Sequence, residues 1–150
     1  MGRDQINVKG FFRIKISEGG KIVGDSGWHE NQVVNLGFQD YICASVGGVA
    51  GSKQISHMAL GTGTAPGAAD TSLNGESRVR KTTANTIISS KTLQMTASWS
   101  SSDNTAAITI QNVGLLNTLT GGTLSCGNTY VTSQWASNQD VSCTYQLRFS

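Results

Sequence analysis

The clearest signal along the chain is a two-residue alternation of apolar and polar side chains. From 6 to 16 one side carries Ile6, Val8, Gly10, Phe12, Ile14 and Ile16, and the other carries Asn7, Lys9, Phe11, Arg13 and Lys15. That is the period of a strand with one covered face. "SEGG" at 17–20 reads as a turn, because glycine accepts positive φ without steric cost, and "KIVG" after it returns as a hairpin partner. The alternation resumes through Leu93, Met95, Ala97 and Trp99, and again, after the turn "SSDN", through Ala106, Ile108 and Ile110. It is most regular at the end, where Val141, Cys143, Tyr145, Leu147 and Phe149 point one way. Five apolar side chains in that strand demand a covered face, so it is expected at the centre of a sheet.

Between these segments lie weaker signals. A short strand is expected over 55–60 and a Thr/Ile-rich one over 79–89, while Gly121-Gly122 and Gly127-Asn128 read as interruptions. Only 35–46 has helical spacing. Asn35 can cap it, Phe38, Tyr41, Ile42 and Ser45 or Val46 share a face, and Gly47-Gly48 stop it. The alternative treats 33–36 as a strand. The pattern predicts a mainly β protein, a single antiparallel β-sandwich or barrel-like domain with one short helix. The domain is expected to span 1–150, with an N-terminal hairpin and helix over 6–48 and a β core over 54–150.

Composition narrows the function classes. Charged residues make up 13% of the chain, about half the roughly 25% of soluble domains, which suits faces that meet other proteins. A net charge of +2 is too small to imply nucleic-acid binding by field alone. No apolar run is long enough for a membrane-spanning helix, and the first ten residues lack the hydrophobic centre of a signal peptide. Gly2 starts no myristoylation signal, because Ile6 stands where Ser or Thr is needed. Cys43, Cys126 and Cys143 are odd in number and lack metal-ligand spacing, and they read as buried or half-buried thiols.

Several motifs invite chemistry and fail on spacing. "GDSGW" at 24–28 contains the tetrapeptide around a trypsin-like serine nucleophile, but no His precedes Ser26 in the chain as that family requires. His29 and His57 are the only candidate bases, so a turn is the better reading. "GTGTAPG" at 61–67 lacks the Gly-Lys-Ser/Thr ending of a phosphate loop, and Pro66 follows the glycines where a helix would have to start. Arg78, Arg80 and Lys81 have no aromatic neighbour for stacking a nucleic-acid base. The two arginines are expected on one strand face, with one of them paired to Glu76 or to a carboxylate of an adjacent chain. Trp28, Trp99 and Trp135 read as core or interface aromatics; a sugar-binding platform would need one exposed in a shallow groove. No catalytic, cofactor-binding or metal-ligating set assembles, and the expectation is a protein that is not an enzyme.

The stretch "ISHMALGTGTAPGAADTSLNGESRVRK" at 55–81 resembles a recurrent segment of tailed-bacteriophage virion proteins. That segment is a short strand, then Ala-Leu-Gly-Thr-Gly-Thr, an Ala/Pro/Asp-rich loop, Thr-x-Leu, and a Glu followed by an Arg. The matching positions are 59–64 (Ala59, Leu60, Gly61, Thr62, Gly63 and Thr64), Pro66, Asp70, Thr71, Leu73, Glu76, and Arg78 or Arg80. "VGLLNTLTGGTL" at 113–124 looks like the same group's Gly-Leu turn, and "QDVSCTYQLRF" looks like its closing strand. The likeness runs in order through about two thirds of the chain. It departs at Asn112-Val113, where the group usually has a Glu.

The resemblance implies a structural protein of the virion, assembled in the bacterial host cytoplasm. Its expected partners are the major capsid protein and itself as a homo-oligomer, or alternatively tail proteins, with neither nucleic acid nor membrane bound directly. Capsid decoration is the favoured role; a tail, baseplate or fibre-associated piece and a host-surface glycan-binding module are the alternatives. The contact set it implies is Leu60, Gly61, Thr62, Gly63, Thr64, Pro66, Glu76, Arg78 and Arg80. Residues 60–74 carry one charge, Asp70, and show no periodic apolar face, so they are expected to form an extended arm ordered by a neighbouring protein.

Overall fold

The structure is a computed structural model that describes residues 5–150, the side chains of 130–133 excepted. Gly2 therefore lies outside the described residues. Among the described residues ten antiparallel strands, one longer helix and a single 3-10 turn (Ser101–Asp103) follow the chain: β1 (Val8–Glu18), β2 (Lys21–Asp25), β3 (His29–Val33), a helix α1 over 37–46, β4 (His57–Gly61), β5 (Glu76–Thr82), β6 (Ala84–Ser89), β7 (Thr92–Trp99), β8 (Ile108–Leu116), β9 (Leu124–Trp135) and β10 (Asp140–Phe149). Nine of them form one curled sheet in the order β5-β4-β8-β9-β3-β1-β10-β7-β6, and β2 adds to β1. The fold is the mainly β, nearly closed barrel with one short helix that the alternation predicts.

The final strand is central, as its five apolar positions require. β10 lies between β1 and β7, with Ile14 opposite Cys143 and Tyr145 opposite Met95. Phe12, Ile14, Met58, Leu60, Met95, Trp99, Val113, Leu115, Trp135 and Tyr145 fill the barrel interior. At about 1.5–3 kcal/mol for each buried large apolar side chain, this core is the main source of stability. β1 stands between β3 and β10 in the same sheet. The first strand thus pairs with the last, and the N-terminal segment and the strands after 54 share one sheet. Ile6 precedes the strand and is exposed.

Barrel closure depends on residues 76–89. They run as β5 and β6, separated by Thr83, and change partners there, β5 pairing with β4 and β6 with β7. The single strand expected over 79–89 is thus two. On one side of this switch the Trp99 indole donates to the Val79 carbonyl at 2.8 Å, joining β7 to β5 where no ladder exists. On the other, Thr83 N–H donates to the Ser56 carbonyl at 2.8 Å and Asn85 Nδ2 to the Ile55 carbonyl at 2.7 Å.

The helix lies across one end of the barrel and covers part of it. Its first seven residues, Gly37–Cys43, are π-helical, Ala44–Val46 are α-helical, and no side-chain bond caps its start, so Asn35 does not play the expected capping role. Gly37 is needed for a steric reason: a Cβ there would collide with the Ser125 carbonyl of β9. Tyr41 faces inward and donates to the Thr123 carbonyl, whereas Phe38 and Val46, expected on the same face, are largely exposed. The wider π turn rotates successive side chains less than an α turn, which dissolves the stripe read from α spacing. Gly127 and Asn128, read as an interruption, sit inside β9.

Candidate functional site

The segment that carries the family-like motif is folded onto its own barrel. Leu60 and Gly61 belong to β4 and are buried. From there the chain leaves the sheet, loops out and returns at Gly75, whose carbonyl accepts the Thr62 N–H at 3.0 Å. Gly63 and Gly75 make this neck possible. Gly75 has φ of +67°, and a Cβ on Gly63 would meet the Asn74 backbone.

Inside the neck, Asn112 of β8 is fully buried, and its Nδ2 donates to both the Thr64 carbonyl (3.0 Å) and the Asn74 carbonyl (2.8 Å). A carboxylate could not make these two bonds, because it has no N–H to give. Asn74 in turn donates to Thr64 Oγ1 at 2.9 Å. Farther out, Asn35 N–H donates to the Ala68 carbonyl and Leu124 N–H to the Thr71 carbonyl, both at 2.8 Å, while Asp70 accepts from Gly67 N–H at 2.8 Å.

Two side chains of the loop are buried against the wall. Pro66 packs towards Gly127, and Leu73 covers the outer faces of β4 and β8 in a second small core with Val34, Ala59, Leu116 and Leu124. The loop explains why 113–116 is an unbroken buried run. Val113 and Leu115 face the barrel interior while Gly114 and Leu116 lie under Leu73. The expected free arm is therefore corrected. One buried asparagine, two backbone bonds from the barrel and Leu73 anchor the loop to its own domain, and its outward residues are exposed and nearly uncharged.

The charge cluster after the loop is spent within the chain. Arg80 is buried with 8% of its side chain exposed. Its Nε and Nη2 bind the Glu76 carboxylate at 2.9–3.1 Å, and Nη1 donates to the Thr118 and Gly121 carbonyls at 2.9 and 2.7 Å. It thereby ties β5 to the β8–β9 turn. Arg78 goes elsewhere: Nε donates to Asn104 Oδ1 and Nη2 to the Ala106 carbonyl, both at 2.7 Å. The expected shared face fails because a β-bulge intervenes between β4 and β5, with Arg78 at φ of +70° in the left-handed region. Lys81 pairs with Asp103 at 2.8 Å, and that bond holds the Asp103 carboxyl below its ordinary range.

The other chemical motifs resolve into turns and core. Ser26 Oγ accepts the Ile14 N–H at 2.9 Å and donates to the Gly27 carbonyl, and the His29 ring meets the Ser26 carbonyl, not its hydroxyl. Asp25 is gripped by Arg13 through two bonds and accepts the Gly27 N–H, which together hold its carboxyl well below the usual range. Cys126 and Cys143 are buried, and burial pushes the Cys126 thiol up to about 11; Cys43, expected at least half-buried, is exposed. Among the described residues no three His, Cys, Asp or Glu side chains gather as a metal set, and no helix is long and apolar enough to cross a membrane. Trp99 and Trp135 are core residues. Trp28 is 42% exposed and stands beside Arg148, whose guanidinium lies over the Phe11 ring at 4.1 Å and near the Trp28 ring at 5.6 Å.

Comparison with protein families, with curated proteins and with solved structures returned no match.

Proposed function

We propose that this protein is a non-enzymatic structural component of a tailed-phage virion, and that it decorates and stabilises the head. The carrying observation is the loop over 62–75. The segment that resembles virion proteins is built as a fixed plate, pinned by Asn112 and Leu73, with its outward residues exposed and Asp70 as its one charge before Glu76. A pre-ordered surface loses little conformational entropy on docking. A nearly uncharged one lets many copies crowd a shell without mutual repulsion. The partner on this reading is the major capsid protein.

A protein that binds only the assembled shell stabilises it by mass action. Phage particles made without this chain should form normally and rupture at lower temperature than wild-type particles. Adding back the purified protein should restore the threshold. Particles whose thermal threshold does not depend on the protein would refute the head reading, and binding confined to the tail would replace it with the tail reading.

A further inference from the structure

The edge of β6 is open. Among the described residues β6 pairs only with β7, and beyond the bonds from Thr83 N–H to Ser56 and from the Asn85 side chain to the Ile55 carbonyl nothing bonds to its other edge, so the backbone groups of Asn85 and Ile87 have no strand there. Because Thr83 turns its N–H that way, strand alternation turns the N–H and C=O groups of Asn85 and Ile87 to the same open edge. Their side chains stand opposite Met95 and Leu93, on the inward face of the barrel, yet Ile87 is 75% exposed. Beside them the helix leaves part of the barrel mouth uncovered, a cavity of about 360 Å³ lined by Ile42, Val46, Ile55, Leu93, Leu147 and Phe149, with Asn85 on its rim. Its one cation, Lys53, is paired with Asp40 at 3.0 Å.

Sheet edges are normally guarded by charge, proline or bulges. β5 carries Glu76, Arg78, Arg80 and Lys81 and a bulge, and β2 carries Lys21 and Asp25. Residues 82–90 carry no charge and no proline, and the one irregularity of β6, a register shift against β7 between Ile87 and Ser89, lies past the stretch 84–87. Such an edge is complementary to itself: two copies meet without like-charge repulsion, and an unpaired row of backbone groups finds its own kind.

We propose that β6 pairs antiparallel with β6 of a second copy of this chain, about a two-fold axis at Thr86. Only residues 85 and 87 offer backbone groups on the open edge, so the ladder sets Asn85 opposite the second copy's Ile87, and the reverse. Thr86 then faces its own counterpart in the closely spaced, non-hydrogen-bonded position. Cross-strand partners share a face, so each Ile87 is carried to the inward side next to the other copy's Asn85, at the rim of the apolar mouth. The contact is isologous and closes at two copies. The inference does not rest on the virion reading, and its test uses the isolated protein, so the two fail separately.

The test is the mass of the purified chain by sedimentation, over roughly 10–500 µM, together with cysteine cross-linking. The wild type should pass from monomer to dimer as concentration rises. Ile87→Lys should stay monomeric with unchanged circular dichroism and melting temperature, because that side chain is already exposed. In a Cys43→Ser background, Thr86→Cys should oxidise to a disulfide-linked dimer, since facing residues of this type lie about 4.5 Å apart, within disulfide reach. Ile88→Cys, two places off the axis, should not. A wild type that stays monomeric throughout, or cross-linking at Ile88→Cys in preference to Thr86→Cys, would overturn the proposal.

Discussion

Replacing Arg80 by alanine removes a clasp whose geometry sets the expected cost. Three guanidinium nitrogens hold Glu76 and two carbonyls of the β8–β9 turn, and the side chain is 8% exposed. Breaking a buried pair by deleting one partner costs about 3–5 kcal/mol, because the other charge is left buried. Glu76 is 29% exposed, so water recovers part of that loss. The orphaned carbonyls of Thr118 and Gly121 lie in an exposed turn and rehydrate as well. A net loss of about 2–4 kcal/mol follows. For a domain of this size about 2–4 °C of melting temperature accompanies each kcal/mol, so Tm should fall by roughly 4–16 °C. Urea unfolding of Arg80→Ala, Glu76→Ala and the double variant forms the assay. The midpoint should drop with an unchanged m value, and the double variant should be less destabilised than the sum of the singles. Additive losses, or an Arg80→Ala variant within about 0.5 kcal/mol of wild type, would show that the clasp is ornamental.

Further expectations follow from other contacts. Asp25 is held below its ordinary pKa by Arg13 and the Gly27 N–H. The stability it lends is complete above the unfolded value near 4 and is lost as pH falls below it, so Asp25→Asn should flatten the acid limb of a Tm–pH profile. A thiol reagent should titrate one cysteine, Cys43, in the native protein and all three in denaturant; rapid native reaction of Cys126 or Cys143 would place them wrongly. Asn112→Leu removes the two bonds that close the loop neck, and amide exchange over 62–75 should accelerate while the barrel strands keep their protection. A truncation ending at Asp140 deletes a central strand and with it on the order of 8–12 kcal/mol of burial, so it should not fold.

What the sequence revealed divides by how local its cause is. The alternation in 141–149 and 92–99 was readable because each of those strands has one covered face, so period two maps directly onto burial. The run 113–116 hides that period, because the barrel core lies on one side of β8 and Leu73 on the other. Residues 79–89 show suitable β composition throughout, but the exchange of partners at Thr83 is a property of the nearly closed sheet. The left-handed Arg78 is invisible for the same reason: nothing in "ESRVRK" marks a bulge, which arises from the register between β4 and β5. Low charge in 60–74 suggested an unanchored arm, whereas Asn112, distant in sequence, supplies the anchor. That Arg78 or Arg80 would pair with a carboxylate was legible from the charge cluster; that it is Arg80 with Glu76, and that two carbonyls share it, was not.

The most direct measurement of the head-decoration reading is a cryo-EM map of the intact phage particle that contains this chain. The reading predicts barrel-shaped density at symmetry-related positions on the head, with the plate over 62–75 turned towards the capsid subunits. Density for the barrel at the tail alone, or a head-bound barrel with that plate facing solvent, would contradict it.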